Sequence, residues 1–397
     1  MSARPYRRET WLPYGRQWID ERDIEAVTAV LRGDYLTTGP LVPEFESKFA
    51  RAVGAAYAVA FSNGTAALHG ACQAAGIGPG DEAVTTPMTF AASANAVLYL
   101  GGKPVFADID PRTYNLDPTA VEPLLNERTK AIVTVDFTGQ PSRLSALKAM
   151  AEARGIPLIE DAAHALGASY RGRPVGSAAD MTMFSLHPVK HVTAGEGGVI
   201  ATNDERYYRK LTDFRNHGIV RDRARLEAKD APAWYYEMQS LGFNYRLTDF
   251  QAALADSQLD KLDRFVARRR AIARRYDEAF GGLDEVVTPY QDGEGESSWH
   301  LYVLQLNLEQ LRAGRDEVFE RLHRENVGAN LHYIPVYLHP YYRDLGYARG
   351  LCPNAEWLYE RILTLPLFPA MTDEDVDDVI RAVRSVIRAC VPETSAR

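Results

Sequence analysis

Cysteine is scarce: Cys72, Cys352 and Cys390 are the only three in 397 residues, far apart and in no CxxC pair. That excludes a disulfide scaffold and a thiolate zinc cluster, and it fits reduced thiols in a reducing compartment. Basic charge is not in excess either. Against 45 Lys and Arg stand 53 Asp and Glu, a formal net charge of -8. Non-specific binding to nucleic acid needs a basic face, so no nucleic-acid partner is expected. Long apolar runs are missing too. The least polar stretch, AASANAVLYLGG at 91–102, is too short to cross a bilayer, and no membrane partner is expected. The opening MSARPYRRETWLPYGRQWIDERD has basic residues but no apolar segment behind them, so it does not read as a secretory leader. A cytoplasmic protein is the expectation.

What is present is the composition of an ordinary globular chain, 46% hydrophobic and 25% charged, long enough for two or three units. Residues 1–19 read as an irregular arm. Helices follow at DERDIEAVTAVLR, capped by Asp20, and at VPEFESKFARAVG, stopped at Gly54. From Tyr57 strands and helices alternate: YAVAF, EAVTT, KPVFADI, KAIVTVDF, IPLIED, MTMFS and GGVIAT are strand-like, with helices such as TAALHGACQAAG, FAASANAVLYLG and LSALKAMAEARG between some of them. Such alternation predicts an α/β fold with a mostly parallel sheet covered on both faces. The end differs. SSWHLYVLQL and GANLHYIPV read as strands, RDEVFERLHREN and DEDVDDVIRAVRSVIRA as helices, which predicts a smaller α+β domain. A helical segment at about 248–280 joins the two. Within it, KLDRFVARRRAIARRY reads as an amphipathic helix with a solvated basic face. The expected division is an arm (1–19), a large domain (20–260) and a small domain (261–397). The loop PYQDGEGESS looks the most flexible.

In open α/β sheets the ligand lies beyond the carboxyl ends of the strands. Three such ends carry chemistry. After AVAF comes SNGT, and the helix starting at Thr65 offers free N–H groups and a favourable dipole to a phosphate, with Gly64 allowing close approach; by itself this reads as an ordinary capped turn. PLIED ends in Asp161, a carboxylate leaving an apolar strand, which needs a partner. It could be a helix cap, half of an ion pair, or the partner of a cationic ring nitrogen. MTMFS leads to Ser185 and then to Lys190, in a loop interrupted by Pro188. A lone lysine is an ordinary surface charge. Together the three ends supply what pyridoxal 5′-phosphate (PLP) needs: a phosphate cup, an acid for the ring nitrogen, and a lysine for the aldehyde. Phe90, after EAVTT, is the candidate to cover the ring. Other motifs are weaker. His187 and His191 form HxxxH, but Pro188 intervenes and no acid adjoins the first histidine as in HExxH, so no metal is expected. GIGPG at 76–80 precedes a strand rather than opening a helix, unlike a dinucleotide fingerprint.

SNGTAAL, EDAAHALGA, SLHPVKHVTAGEGGVI and GFNYRLTDFQAAL together resemble the DegT/DnrJ/EryC1/StrS sugar aminotransferases, over nearly the whole chain. The resemblance implies the fold type I PLP-dependent aminotransferase architecture and a homodimer with active sites at the interface. It implies Lys190 as the Schiff-base lysine, Asp161 as the pyridinium partner and His164 against the ring or its hydroxyl. Gly64, Thr65 and Ser185 match the phosphate cup, Phe90 the ring-stacking position, and Asn244 a residue reaching the neighbouring subunit's phosphate. Some members carry histidine at the lysine position and are dehydratases; here Lys190 aligns and His191 is one residue beyond.

YGRQWIDERDI, YLTTGPLV, SWHLYV and HYIPVYLHPYY resemble the branch that aminates C4 of UDP-linked 4-keto-6-deoxy-hexosamines on the route to pseudaminic acid. That likeness implies a substrate site formed by Tyr14, Tyr35, Leu36, Thr37, His332 and Tyr333, with Gly64, Ser185 and Asn244 shared with the cofactor. Glutamate would be the amino donor, and Arg246 is one candidate for its carboxylate. Two alternatives remain at this level: an aminotransferase for another nucleotide keto sugar (dTDP- or GDP-linked, 4-keto or 3-keto), and a non-catalytic PLP-binding regulatory protein.

Overall fold

The structure, a computed structural model, describes residues 7–392. The first six residues of the arm expected at 1–19 lie outside the described residues. Seven strands form the large sheet: β1 (Tyr57–Phe61), β2 (Glu82–Thr85), β3 (Lys103–Phe106), β4 (Thr129–Val135), β5 (Leu158–Asp161), β6 (Met181–Ser185) and β7 (Gly198–Thr202). Their order is β1-β7-β6-β5-β4-β2-β3. Strand β7 runs antiparallel to both of its neighbours, and the other pairings are parallel. The expected α/β class with a mainly parallel sheet is what forms.

These strands are apolar on both faces because helices cover both. In β1, Val59 and Phe61 join one core with Leu68, Met181 and Met183, while Ala58 and Ala60 join another with Phe45, Phe49 and Phe184. Phe184 packs edge-on to Phe49 at 5.2 Å between ring centroids. Register aligns the strand ends that matter: Val135 lies opposite Asp161, Asp161 opposite Met183, and Ser185 opposite Gly198.

The carboxyl-terminal part has a sheet of its own, with Tyr302–Leu306 between Val286–Val287 and Ile362–Leu365, all antiparallel. Its core gathers Tyr302, Leu304, Val379, Val383 and Ile387. The helix Leu262–Phe280 bridges the two parts: Leu262 and Val266 pack into the large-sheet core, Ile272, Tyr276 and Phe280 into the other. The arm is pinned there as well. Arg8 pairs with Asp375 at 2.8 Å and with Asp378, and Leu12 bridges to Val327.

Three sequence expectations change. The joining helix is two, Asp249–Leu259 and Leu262–Phe280, broken where buried Lys261 reaches back to Asp20 and Asp23. GANLHYIPV is not a strand; apart from a bridge between Asn330 and Thr364 it is irregular, because it turns its side chains into a cavity. PYQDGEGESS contains a short pairing, Gly295–Glu296 with Ser169–Tyr170. Among the described residues, no helix is long and apolar enough to cross a membrane.

Candidate active site

A cavity of about 940 Å³ opens at the carboxyl ends of the parallel strands. It is built one strand end at a time. After β1, Asn63 caps the helix Gly64–Ala74, its Oδ1 accepting from the Ala66 N–H at 2.8 Å. The Gly64 and Thr65 N–H groups belong to the first turn, whose donors have no intrahelical partner, and both residues line the cavity. Strand β7 crosses directly behind this turn. A Cβ on Gly198 would lie 2.5 Å from the Asn63 carbonyl oxygen and 2.8 Å from the Gly64 Cα, so only glycine fits there.

Asp161 ends β5 and is buried. Its Oδ2 accepts from the Ser93 hydroxyl at 2.6 Å and its Oδ1 from the Ala163 N–H at 3.1 Å. Ser93 is in turn 2.7 Å from the Thr89 hydroxyl, which ties Asp161 to the segment bearing Phe90. Burial pushes the Asp161 carboxyl up; the bonds from Ser93 and Ala163 and the charge of Lys190 oppose that.

After β6 the chain makes an excursion that closes on itself. The Leu186 N–H reaches the Gly197 carbonyl at 2.9 Å, and the Lys190 N–H the His187 carbonyl at 2.9 Å. Pro188 occupies the second position of that turn, where its fixed φ is favourable. This is why SLHPVKHVTAGEGG has neither helical nor strand period. The turn aims Lys190 into the cavity. Burial pulls its amine down to about 8, with Asp161 opposing.

The remaining walls come from elsewhere. His164 Nε2 is 3.1 Å from the Tyr333 hydroxyl. His300 Nε2 is 3.4 Å from Lys190 Nζ, and the His164 and His300 ring centroids are 4.4 Å apart. Burial holds both histidines well below the usual range, so both are neutral. His332 is held down to about 3 by burial and the Lys190 charge.

Of the residues singled out in the sequence, Tyr14, Gly64, Thr65, Phe90, Asp161, His164, Ser185, Lys190, His332 and Tyr333 converge on this cavity. Four do not. Tyr35, Leu36, Thr37 and Asn244 are exposed and line no part of it within the chain. Arg246 lies in a separate cleft with Arg215 and Asn216, donating to the Asn216 Oδ1 at 2.7 Å. The basic helix also departs from expectation, because Arg269 on it is fully buried. Ser93 and His300 carry no motif of their own. SWHLYV contributes to the resemblance, yet a histidine among apolar residues reads as core.

The residues present fit PLP. Gly64 and Thr65 offer an anion site, Asp161 is a buried carboxylate lining the same cavity, and the Nδ1 atoms of His164 and His300 are without partners among the described residues. A doubly wound sheet with lysine, acid and phosphate cup at its carboxyl edge defines the class of PLP-dependent transferases of fold type I. The chain belongs to the DegT/DnrJ/EryC1/StrS aminotransferase family, which matches residues 17–384. It is accordingly a PLP-dependent sugar aminotransferase. Relatives agree along its length. The spore coat polysaccharide biosynthesis protein SpsC of Bacillus subtilis is 42% identical over 384 residues, 96% of this chain and 98% of that protein. Helicobacter pylori PseC, an aminotransferase involved in the biosynthesis of pseudaminic acid, superposes with a TM-score of 0.89 at 30% identity, covering 96% and 100% of the two chains. An aminotransferase from Psychrobacter cryohalolentis gives 0.90 at 30% identity, covering 95% and 100%.

Proposed function

We propose that the protein transfers the amino group of glutamate to C4 of a UDP-linked 2-acetamido-2,6-dideoxy-4-keto-hexose. The carrying observation is the convergence of Lys190, Asp161 and the Gly64–Thr65 turn in one cavity large enough for a nucleotide sugar. The likeness to PseC and the motif HYIPVYLHPYY, whose His332 and Tyr333 line the cavity, support this sugar over its rivals.

In this reading residues 20–260 hold the cofactor and 261–397 form the small domain. When bound, PLP supplies an electron sink for the carbon that loses a proton. The chain does the rest. Gly64, Thr65 and Ser185 hold the phosphate. Asp161, bonded by Ser93, keeps its carboxylate aimed at the ring nitrogen. Phe90 would cover one ring face and His164 would lie beside the ring. Lys190, as a free amine, accepts the proton from one carbon and returns it to another. A lysine drawn down to about 8 by burial is suited to that work at neutral pH.

We further propose that two copies share each site. Among the described residues Lys190 is the sole ammonium or guanidinium lining the cavity, whereas PLP and a nucleoside diphosphate together bring several negative charges. A second copy of the chain would supply further cations. The segment around Asn244 is suited to carry them. It exposes Trp234 (74%), Met238 (66%) and Leu241 (75%), too much apolar surface to leave in water, and Arg246 lies beside it. Tyr35, Leu36, Thr37 and Asn244 would then line the partner's cavity. Three buried free thiols support a cytoplasmic setting.

The test is mass spectrometry of the product formed with glutamate from a panel of 4-keto and 3-keto sugars linked to UDP, dTDP or GDP. Amination at C4 of the UDP-linked N-acetyl sugar is expected. Preference for a dTDP- or GDP-sugar replaces the substrate assignment, and a cofactor spectrum unmoved by any amino donor points to a non-catalytic binder.

A further inference from the structure

Six titratable groups crowd around Lys190. Asp161 and His164 come from the end of β5, His187 and His191 from the lysine's own loop, His332 from the irregular 328–336 segment, and His300 from the chain just before the strand Tyr302–Leu306. Arg269, on the long helix behind them, is the nearest further cation. The reading above gives His164 and His332 a place beside cofactor and substrate. His300 has none, and it is the histidine whose ring nitrogen faces the lysine, 3.4 Å from Nζ.

A histidine kept for packing spends its Nε2 proton on the backbone. His191 does so, with Nε2 3.0 Å from the Ser298 carbonyl, a geometry that makes Nε2 the donor, and its Nδ1, like that of His300, has no partner among the described residues. His300 differs at Nε2. Nε2 meets only the lysine, and Nδ1 has no partner among the described residues, so no bond forces the proton onto Nε2. An ammonium has three protons and no lone pair, and the group facing it must accept. A neutral His300 with its proton on Nδ1 presents that lone pair.

The chain invests in holding this ring. Arg269 is fully buried and clamps both sides of the contact: it donates to the carbonyls of Trp299 (3.3 Å), His300 (3.0 Å) and Leu367 (2.8 Å), and to that of Val189, next to the lysine, at 3.4 Å. Trp299 is held at φ +52, a left-handed conformation costly for a bulky residue. Gly139 makes room behind, since a Cβ there would meet the Trp299 and His300 nitrogens at 2.9 and 3.0 Å.

We propose that His300 is a positioning residue for Lys190, accepting a hydrogen bond at Nε2 from the lysine's ammonium and so holding the proton that Lys190 carries between donor and acceptor carbons. The balance is simple. The C–H electron pair stays on the carbon side, the proton goes to the Nζ lone pair, and one N–H of the ammonium points at His300 without being transferred. The same Nζ then returns a proton to carbon. No further reactant is consumed. The proposal rests on Lys190 being the proton-moving group.

The test avoids activity. The full-length chain, stripped of PLP, is pulsed with acetic anhydride across pH 6 to 10, and acetylation of Lys190 is read by peptide mass spectrometry against exposed lysines. In His300→Leu the ammonium loses its acceptor, and the labelling midpoint of Lys190 drops by about one pH unit, a tenfold change in its charged fraction. His300→Gln, whose side-chain oxygen can accept in place of Nε2, keeps the midpoint near wild type. His300→Asn, polar but too short to reach, behaves like the leucine variant and covers the case that leucine fails to fold. A midpoint unchanged in the leucine and asparagine variants, or moved equally in all three, overturns the proposal. An inactive Lys190 would show separately, as full activity of Lys190→Ala.

Discussion

Glu160 and Asp161 are neighbours on β5, and strand alternation sends them to opposite faces of the sheet. Asp161 faces the cavity. Glu160 is enclosed with Asp136, and burial holds both carboxyls above the usual range; the Glu160 charge raises Asp136 further, while at Glu160 the bonds with Asp136 and Thr182 oppose burial and the Asp161 charge adds to it. A carboxyl whose folded value is raised binds more protons folded than unfolded. Its contribution is therefore complete below the unfolded carboxyl range, near pH 4, and lost as pH rises toward the folded value. Glu160→Gln removes one of the two acids, and its amide can still accept the bond that Thr182 donates at 2.7 Å. The variant is expected to flatten the thermal-melting profile and to gain about 1 kcal/mol on wild type at pH 8, with no gain at pH 4. An equal offset at both pH values contradicts it.

On the cavity side, Lys190→Ala should abolish the borohydride-reducible cofactor adduct while circular dichroism shows the fold intact, since only an amine can hold the aldehyde. A normal adduct in that variant assigns the role to another lysine. Asp161→Asn should keep most cofactor binding but slow transamination by orders of magnitude, because a neutral amide cannot keep the ring nitrogen protonated. Near-native turnover would leave Asp161 a structural role only. These two residues were legible because Asp161 ends a strand, Lys190 lies in the loop that follows one, and each meets the cavity through its own local chain. Ser93 and His300 were not, since each reaches the site from a distant segment through contacts that leave no period or spacing in the sequence.

At the scale of elements, period and punctuation served where one face packs and one chain end turns, as in the Asp20-capped helix Glu21–Leu31, where an Asp20–Asp23 capping box forms. They failed where tertiary contacts override pattern. Lys261 breaks a helical run to reach two acids, and 328–336 gives up strand pairing to line a cavity. Gly198 shows such an override from inside a strand. Its pattern predicts any small residue, but β7 passes so close to the Asn63–Gly64 turn that a methyl group must displace it. Gly198→Ala should fold and yet loosen the phosphate cup. Cofactor retained after dialysis should fall about tenfold or more relative to wild type, with a smaller loss in melting temperature. Full retention would mean that the turn is not the phosphate site.

For the whole molecule, the sequence pointed to Tyr35, Leu36, Thr37 and Asn244 as site residues, and within one chain they face outward. Shared sites reconcile the two, and they make a sharp prediction. Lys190→Ala disables a site from its own chain. Asn244→Asp, if it reaches across, disables the partner's by placing a carboxylate beside a phosphate. In a mixed dimer of these two inactive variants, one site carries both defects and the other carries neither. Random pairing makes about half of the dimers mixed, each with one intact site, so subunit exchange should restore roughly a quarter of wild-type activity. Exchange can be followed independently with differently tagged chains. If exchange is complete and activity stays at the level of the separate variants, Asn244 acts within its own chain, and the shared-site reading is wrong for this residue.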